Sequence, residues 1–246
     1  MIENKKITVI MPAYNSAKTL RQTVHEIPRG VVDDIILVDD NSRDDTIKVA
    51  EELGLFYVRH PENRGYGGNQ KTCYKLALER GADIIIMLHP DYQYNPRLVS
   101  AMASMVIEGT YDVVLGSRML LGSARKGGMP LYKYIANVCL TTFQNLIVGQ
   151  RLSEYHTGFR SYKRKVLESI PYQNNSDDFI FDNQFLCQAI WKGFQIGEIS
   201  CPAKYFDEGS SISLQRSTIY GLGVVWTSLV FLYAKLVSPK GTIFDI

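Results

Sequence analysis

The chain has no pair of cysteines at metal-binding or redox spacing. Cys73, Cys139, Cys187 and Cys201 are scattered through 246 residues and none forms a CxxC. A zinc site is therefore not expected. An excess of one charge is missing too: 27 basic and 25 acidic residues leave a net charge of +2. That balance gives no support to a nucleic-acid partner, which leaves a strongly basic footprint. There is no internal repeat and no low-complexity linker. The start, Met1-Ile2-Glu3-Asn4-Lys5-Lys6, does not read as a signal peptide, so reduced thiols and a cytoplasmic location are expected. No apolar run is clean enough to be read as a bilayer span. Ile219 to Val237 comes nearest, but Thr227, Ser228 and Lys235 interrupt it. A helix buried against the domain, pressed on a partner subunit or lying in a bilayer interface is expected instead. Arg216, Lys235 and Lys240 flank it and would suit anionic head groups. Peripheral contact with the inner face of the cell membrane and a homo-oligomer through Tyr220 to Tyr233 are both left open.

What is present is a folded α/β pattern, with 46% hydrophobic and 21% charged residues. The length suits one large domain or one and a half. Two apolar runs end in acid: Ile35 to Val38 leads into Asp39-Asp40-Asn41-Ser42, and Ile84 to Leu88 leads into His89-Pro90-Asp91. Runs without polar alternation read as buried, parallel-type strands. Further strands are predicted at Ile7 to Met11 (ended by Pro12), Phe56 to Val58, Asp112 to Gly116, His156 to Tyr162 and Gln195 to Cys201. Helices are predicted from Ser16 to Ile27, Asp44 to Leu53, the glycine-rich turn Asn63 to Asn69 on to Arg80, from Asn95-Pro96, Pro130 to Val148 and Phe181 to Lys192. In the Pro130 helix Lys133, Asn137, Thr141 and Gln144 form a polar stripe. Ser123 to Gly128 is a basic loop. The strand–helix alternation predicts a mostly parallel, Rossmann-like sheet flanked by helices.

Ligands of such sheets bind beyond the carboxyl ends of the strands. In an extended segment His89, Asp91 and Gln93 would point the same way and could converge on one ion. Carboxylate, amide oxygen and imidazole suit Mn²⁺ or Mg²⁺. A plain turn is the competing reading. Asp39 and Asp40 could accept hydrogen bonds from a ribose or base, or could only cap backbone. Gly65-Tyr66-Gly67-Gly68 offers N–H groups near a helix start, a candidate anion site. It does not match GxGxxG, which argues against a nicotinamide dehydrogenase.

These segments, in this order, resemble the inverting glycosyltransferases of family 2, with the GT-A fold, and within it the dolichol- or polyprenyl-phosphate mannose synthase branch. Val9 to Asn15 is similar to the first nucleotide-binding strand and loop. Val38 to Thr46 resembles the VDDxSxDxT signature and Asn63 to Gly67 the NxGxG turn. His89-Pro90-Asp91-Tyr92-Gln93 stands at the DxDxQ metal motif, with His89 replacing its first acid. Gly116-Ser117-Arg118 and Thr157-Gly158-Phe159-Arg160 resemble the GSR and SGFR segments. The resemblance covers the chain to about Ser213 and departs from the family where an arginine is missing from Tyr205 to Ser211. It implies a nucleotide-sugar half, 1–117, an acceptor half, 118–213, and a C-terminal apolar helix and tail, 214–246. Pro12, Ala13, Tyr14, Asn15, Asp39, Asp40 and Gly67 would hold a UDP- or GDP-type sugar donor. Asp91, Gln93 and His89 would hold Mn or Mg. Arg118, Lys133 and Arg160 would bind the acceptor, a polyprenyl phosphate or a lipid-linked or cell-surface glycan. Asp91, Arg118 and Asp182 would act in catalysis, Asp182 as base toward a hydroxyl acceptor. A non-catalytic nucleotide-sugar-binding or scaffold protein is the alternative, favoured by His89. A nucleotidyltransferase is a further one, but Pro12-Ala13-Tyr14-Asn15 replaces its glycine-rich basic loop.

Overall fold

The computed structural model describes residues 4–203 and 214–246. The stretch 205–211, where the arginine is missing, and the boundary after 213 lie outside the described residues. Among the described residues seven strands form one sheet: β1 (Ile7–Ala13), β2 (Asp34–Asp39), β3 (Phe56–Arg59), β4 (Ile84–Met87), β5 (Val113–Ser117), β6 (Arg160–Lys163) and β7 (Ile196–Ser200). Their order is β3-β2-β1-β4-β6-β5-β7. The helices are α1 (Ala17–Glu26), α2 (Thr46–Glu52), α3 (Gly65–Glu79), α4 (Val99–Ile107), α5 (Ser123–Lys126), α6 (Leu131–Val148), α7 (Arg164–Ser169), α8 (Phe181–Trp191) and α9 (Leu214–Leu236). The basic Ser123 loop is thus one turn of helix.

The sheet is parallel except for β6, which runs antiparallel to both β4 and β5. Six strands therefore end at one edge, and β6 begins there. That geometry delivers residues 156–159 to the same edge as the acid after β2 and β4. The apolar strands are buried on both faces. Ile10, Ile36, Val38, Ile85 and Met87 pack to one side with α3 and α8. Val9, Met11, Leu37, Ile84 and Ile86 pack to the other with α1 and α4. Period-two alternation divides one strand between two cores.

Pro12 does not end β1; the strand runs on to Ala13, with Pro12 opposite Val38. The carbonyls of Ile10 and Ala13 accept from Leu88 and Asp40, so Pro12 turns its nitrogen toward the β4 side. β4 has already ended at Met87, and a missing N–H leaves no ladder bond unmade there. Residues 156–159 are likewise not strand; β6 starts only at Arg160.

Helix α9 packs against α6 and α8 through Val224, Thr227, Ser228, Phe231 and Ala234. Among the described residues it is the one helix long and apolar enough to cross a membrane. The tail folds back: Phe244 is buried beside Phe231 and Trp191, and Gln188 donates to the Ile243 carbonyl at 2.8 Å.

Candidate active site

A cleft of about 1680 Å³ opens along the carboxyl edge of the sheet. Its wall includes Pro12, Ala13, Tyr14, Asn15, Asp40, His89, Asp91, Gln93, Arg118, Lys133 and Asp182. Eleven residues singled out from the sequence thus meet in one place. Asp39, Gly67 and Arg160 do not belong to that wall.

The β1–α1 loop is braced from the segment after β2. Asn15 N–H donates to Ser42 Oγ (2.8 Å), Ser16 N–H to Thr46 Oγ1 (2.8 Å) and Ala17 N–H to Asp44 Oδ2 (3.0 Å). Asn15 sits at φ 52° and its Oδ1 accepts from Arg43 N–H. The Ser42, Asp44 and Thr46 side chains therefore shape the loop without needing to touch a ligand. Burial raises the Asp44 carboxyl, but bonds from Thr46 and the Ala17 N–H outweigh that and hold it low.

Three expectations on this side are corrected. Asp40 reaches the cleft, but its carboxylate accepts from Arg64 N–H (2.8 Å), Gly65 N–H (3.0 Å) and His60 Nδ1 (2.8 Å). It caps α3, whose first N–H groups face it, so the glycine-rich turn is not an open anion site. Gly67 N–H donates to the Asp177 carbonyl at 2.7 Å. A Cβ there would lie 2.4 Å from the Ser176 carbonyl oxygen; this glycine lets α3 approach the 176–181 segment. Asp39 is fully buried. Its Oδ2 accepts from Ser42 N–H and pairs with Arg59, while among the described residues Oδ1 has no partner.

The segment after β4 is not extended. It turns at Pro90–Tyr92, with Tyr92 at φ 60°, and Asp91 Oδ1 accepts from Gln93 N–H at 3.0 Å. The alternation that would aim His89, Asp91 and Gln93 at one ion is therefore lost. His89 faces Tyr66 instead: its Nε2 lies 3.0 Å from the Tyr66 hydroxyl, and the rings stack. That hydroxyl donates to Asp182 Oδ2 at 2.7 Å. A phenol has one hydrogen, so Nε2 of His89 carries the other hydrogen and is not a ligand atom here. Burial and the Asp182 charge push the Tyr66 phenol well above its ordinary value. Asp182 sits in the first turn of α8, and its Oδ1 is buried without a partner among the described residues. Among the described residues no three His, Cys, Asp or Glu side chains gather around a metal position. Asp91 and Gln93 on the cleft wall remain a carboxylate and an amide oxygen. Such a pair fits an ion whose other ligands come from substrate phosphates and water, as is usual for Mg²⁺.

On the opposite wall Arg118 follows β5. It donates to the buried Glu154 through its backbone N–H (2.8 Å) and its Nε (2.9 Å), and to the His156 carbonyl (2.8 Å). Burial would raise the Glu154 carboxyl; Arg118 and Asn137 hold it below the usual range. Burial, and then the Arg118 charge, lowers the Lys133 ammonium. Two cations thus share this wall. The polar stripe of α6 faces inward. Asn137 bonds Glu154, Thr141 bonds Asn137, and Gln144 exchanges two bonds with Asn183.

Arg160 is corrected as an acceptor ligand. It has no exposed surface, and its guanidinium donates to the carbonyls of Thr157 (2.8 Å), Asp182 (2.7 Å) and Tyr155 (2.9 Å). It ties the loop before β6 to the turn that carries Asp182. Sequence reasoning missed Tyr66, Glu154 and His156. Tyr66 lay inside a motif read only for its glycines. Glu154 precedes the Thr157–Arg160 motif, and only the fold sets it under Arg118. Burial depresses His156 to about 4, so its ring is neutral at pH 7; Nδ1 bonds the Tyr220 hydroxyl of α9 at 2.8 Å and, among the described residues, Nε2 has no partner.

The profile of the family described as Glycosyl transferase family 2 matches residues 8–170. The chain belongs to this family. An uncharacterized protein of Methanocaldococcus jannaschii is 30% identical, over 92% of this chain and 91% of its own length. The UDP-N-acetylglucosamine–dolichyl-phosphate N-acetylglucosaminyltransferase of Methanococcus voltae is 27% identical, over 98% and 99%. The crystal structure of glucosyl-3-phosphoglycerate synthase from Mycobacterium tuberculosis in complex with UDP superimposes with a TM-score of 0.72 at 18% identity, over 93% of this chain and 80% of that one. The same enzyme is also known with Mn²⁺, UDP and phosphoglyceric acid. The family 2 chain therefore has the GT-A fold, with one mixed but mostly parallel sheet.

Proposed function

We propose that this family 2 glycosyltransferase moves a sugar, with inversion, from a nucleotide-diphosphate sugar to a lipid phosphate of the polyprenyl class. The donor half is 1–117, the acceptor half 118–213, and 214–246 is a C-terminal apolar helix and tail that brings Arg216, Ser217 and Tyr220 to the cleft wall. The Pro12–Asn15 loop holds the nucleoside. Asp91 with Gln93 holds a divalent ion, which supplies charge neutralisation for the departing diphosphate. Arg118 and Lys133 draw the acceptor's phosphate to the anomeric carbon. A phosphate ionised at neutral pH needs no base, only cations that align it.

One observation carries this reading. Arg118 and Lys133 line the same cleft, and the Lys133 ammonium is lowered first by burial and then by the Arg118 charge. Glu154 pairs with the guanidinium, and an anionic phosphate arriving in the cleft would favour both charged forms. The dolichyl-phosphate acceptor named for the Methanococcus voltae relative agrees with it.

A hydroxyl acceptor is the second reading, favoured by the unpartnered Oδ1 of Asp182. It requires a base. Transfer assays with a short polyprenyl phosphate and a panel of UDP- and GDP-sugars separate the two. Asp182→Asn retains most activity and Arg118→Ala loses it if the acceptor is a lipid phosphate. Abolition of turnover by Asp182→Asn with donor binding intact would overturn that acceptor. Full activity in excess chelator would remove Asp91 from its role.

A further inference from the structure

Helices α6 and α9, which pack on each other, both expose large apolar side chains. On α9, Ile219, Leu222, Trp226, Leu229, Tyr233 and Leu236 recur at alternating steps of three and four, so they share one face. Trp226 is 68% exposed and Leu222 67%. The opposite face of α9, with Val224, Phe231 and Ala234, is packed into the domain, so the helix is apolar on both sides and only its outer side is uncovered. On α6, Leu131, Tyr132, Ile135 and Val138 are exposed as well. The two helices touch: a Cβ on Gly221 would lie 3.7 Å from Leu140.

Charge along these segments is one-sided. Residues 123–151 and 214–240 hold Arg125, Lys126, Lys133, Arg151, Arg216, Lys235 and Lys240, and no Asp or Glu. The rest of the chain holds 20 basic residues (27 less these seven) against 25 acidic ones. The slight positive net charge thus hides a basic, apolar side on an otherwise acidic molecule. Arg125, Lys126, Arg151, Lys235 and Lys240 are exposed.

We infer that the α6–α9 face docks flat on an anionic lipid bilayer, with the apolar stripe of α9 in the head-group region. Trp and Tyr among aliphatics, rimmed by Lys and Arg, is the composition of an interfacial helix. Stacking this face on a second copy would bring basic residues together, with no acid on these segments to pair them. The inner side of α9 is held by the core, so it lies along the domain and does not span. Arg216, Lys133, Leu140 and Tyr220 belong to both these helices and the cleft wall. The docked face therefore borders the cleft mouth, where an acceptor resident in the bilayer would enter.

The test is flotation of the full chain with vesicles of phosphatidylcholine alone or mixed with phosphatidylglycerol, without nucleotide sugar. Binding to the anionic vesicles, released by salt, is expected. Trp226→Ser with Leu229→Ser abolishes it, and Lys235→Ala or Lys240→Ala weakens partition about fivefold each, the effect of one charge near an anionic surface. Melting temperature confirms that these exposed substitutions leave the fold intact. Absence of flotation, or equal flotation with uncharged vesicles, overturns the inference. So does a dimer that dissociates on Trp226→Ser while the wild type ignores vesicles. Transfer to a water-soluble short-chain phosphate acceptor is unchanged in Trp226→Ser. Its absence in the wild type would count against the proposed function and leave the docking result standing.

Discussion

Replacing Glu154 by Gln tests the cation wall most directly. The substitution keeps size and shape and removes one buried charge. Arg118, with a side chain only 12% exposed, then has the His156 carbonyl and an amide oxygen in place of a carboxylate. The new amide NH₂ must face either the Arg118 N–H or the Asn137 NH₂, donor against donor. Breaking a buried pair while leaving its partner charged costs about 3–5 kcal/mol. For a chain of this length each kcal/mol moves the melting point by about 2–4 °C. Calorimetry at neutral pH should therefore show a fall of roughly 6–20 °C. The pH dependence has a definite sign. The Glu154 carboxyl is held below its usual 4.5 in the folded chain. Its contribution is complete above that value and is lost as pH falls through the lower, folded one. Wild-type and variant melting points should converge in acid, below about 4.5. A gap that persists unchanged there, or a neutral-pH fall under about 2 °C, would refute the pairing as a source of stability.

Asp112 provides a second acid-side test. Burial raises its carboxyl, but Lys165, the Gln195 N–H and Lys163 bring it down to about 2. Asp112→Asn should destabilise the chain at neutral pH, with the difference vanishing as pH falls from 3.8 through about 2; denaturant titrations at several pH values read this. Gly158→Ala would place a Cβ 2.6 Å from His89 Nε2 and 3.2 Å from the Tyr66 hydroxyl. His89 and Tyr66 must give way, and overpacking of this kind costs about 1–3 kcal/mol, so the melting point should fall; an unchanged melting point would dismiss the His89–Tyr66–Asp182 chain. Arg160→Met leaves the Tyr155 and Thr157 carbonyls beneath the cleft without their guanidinium donor, each at a cost of about 1–3 kcal/mol, and soluble yield should fall; a variant of unchanged melting point would refute its part as a clamp.

The apolar runs of β1, β2, β4 and β5 were legible because buried parallel strands need no polar alternation. The acid behind β2 and β4 located the cleft because parallel strands all end on one side. The His89-Pro90-Asp91 segment was ambiguous for a local reason: an extended stretch and a turn contain the same residues, and only the positive φ of Tyr92 decides between them. Asp40 was seen as important, but its partners are N–H groups 24 and 25 residues away. Nothing local distinguishes that cap from a ligand contact.

By itself, then, the sequence determined the class of fold, the edge of the sheet where the cleft opens and eleven of the residues on its wall. Hydrophobic periodicity and strand polarity are properties of neighbouring residues, so they survive without coordinates. The tertiary structure decided which charged groups face outward. Arg118 and Lys133 stay on the cleft while Arg160 of a similar motif is sealed beneath it, because β6 enters the sheet antiparallel and turns that guanidinium toward three backbone carbonyls. Burial and partnering arise from contacts between distant segments, and no window of sequence contains them.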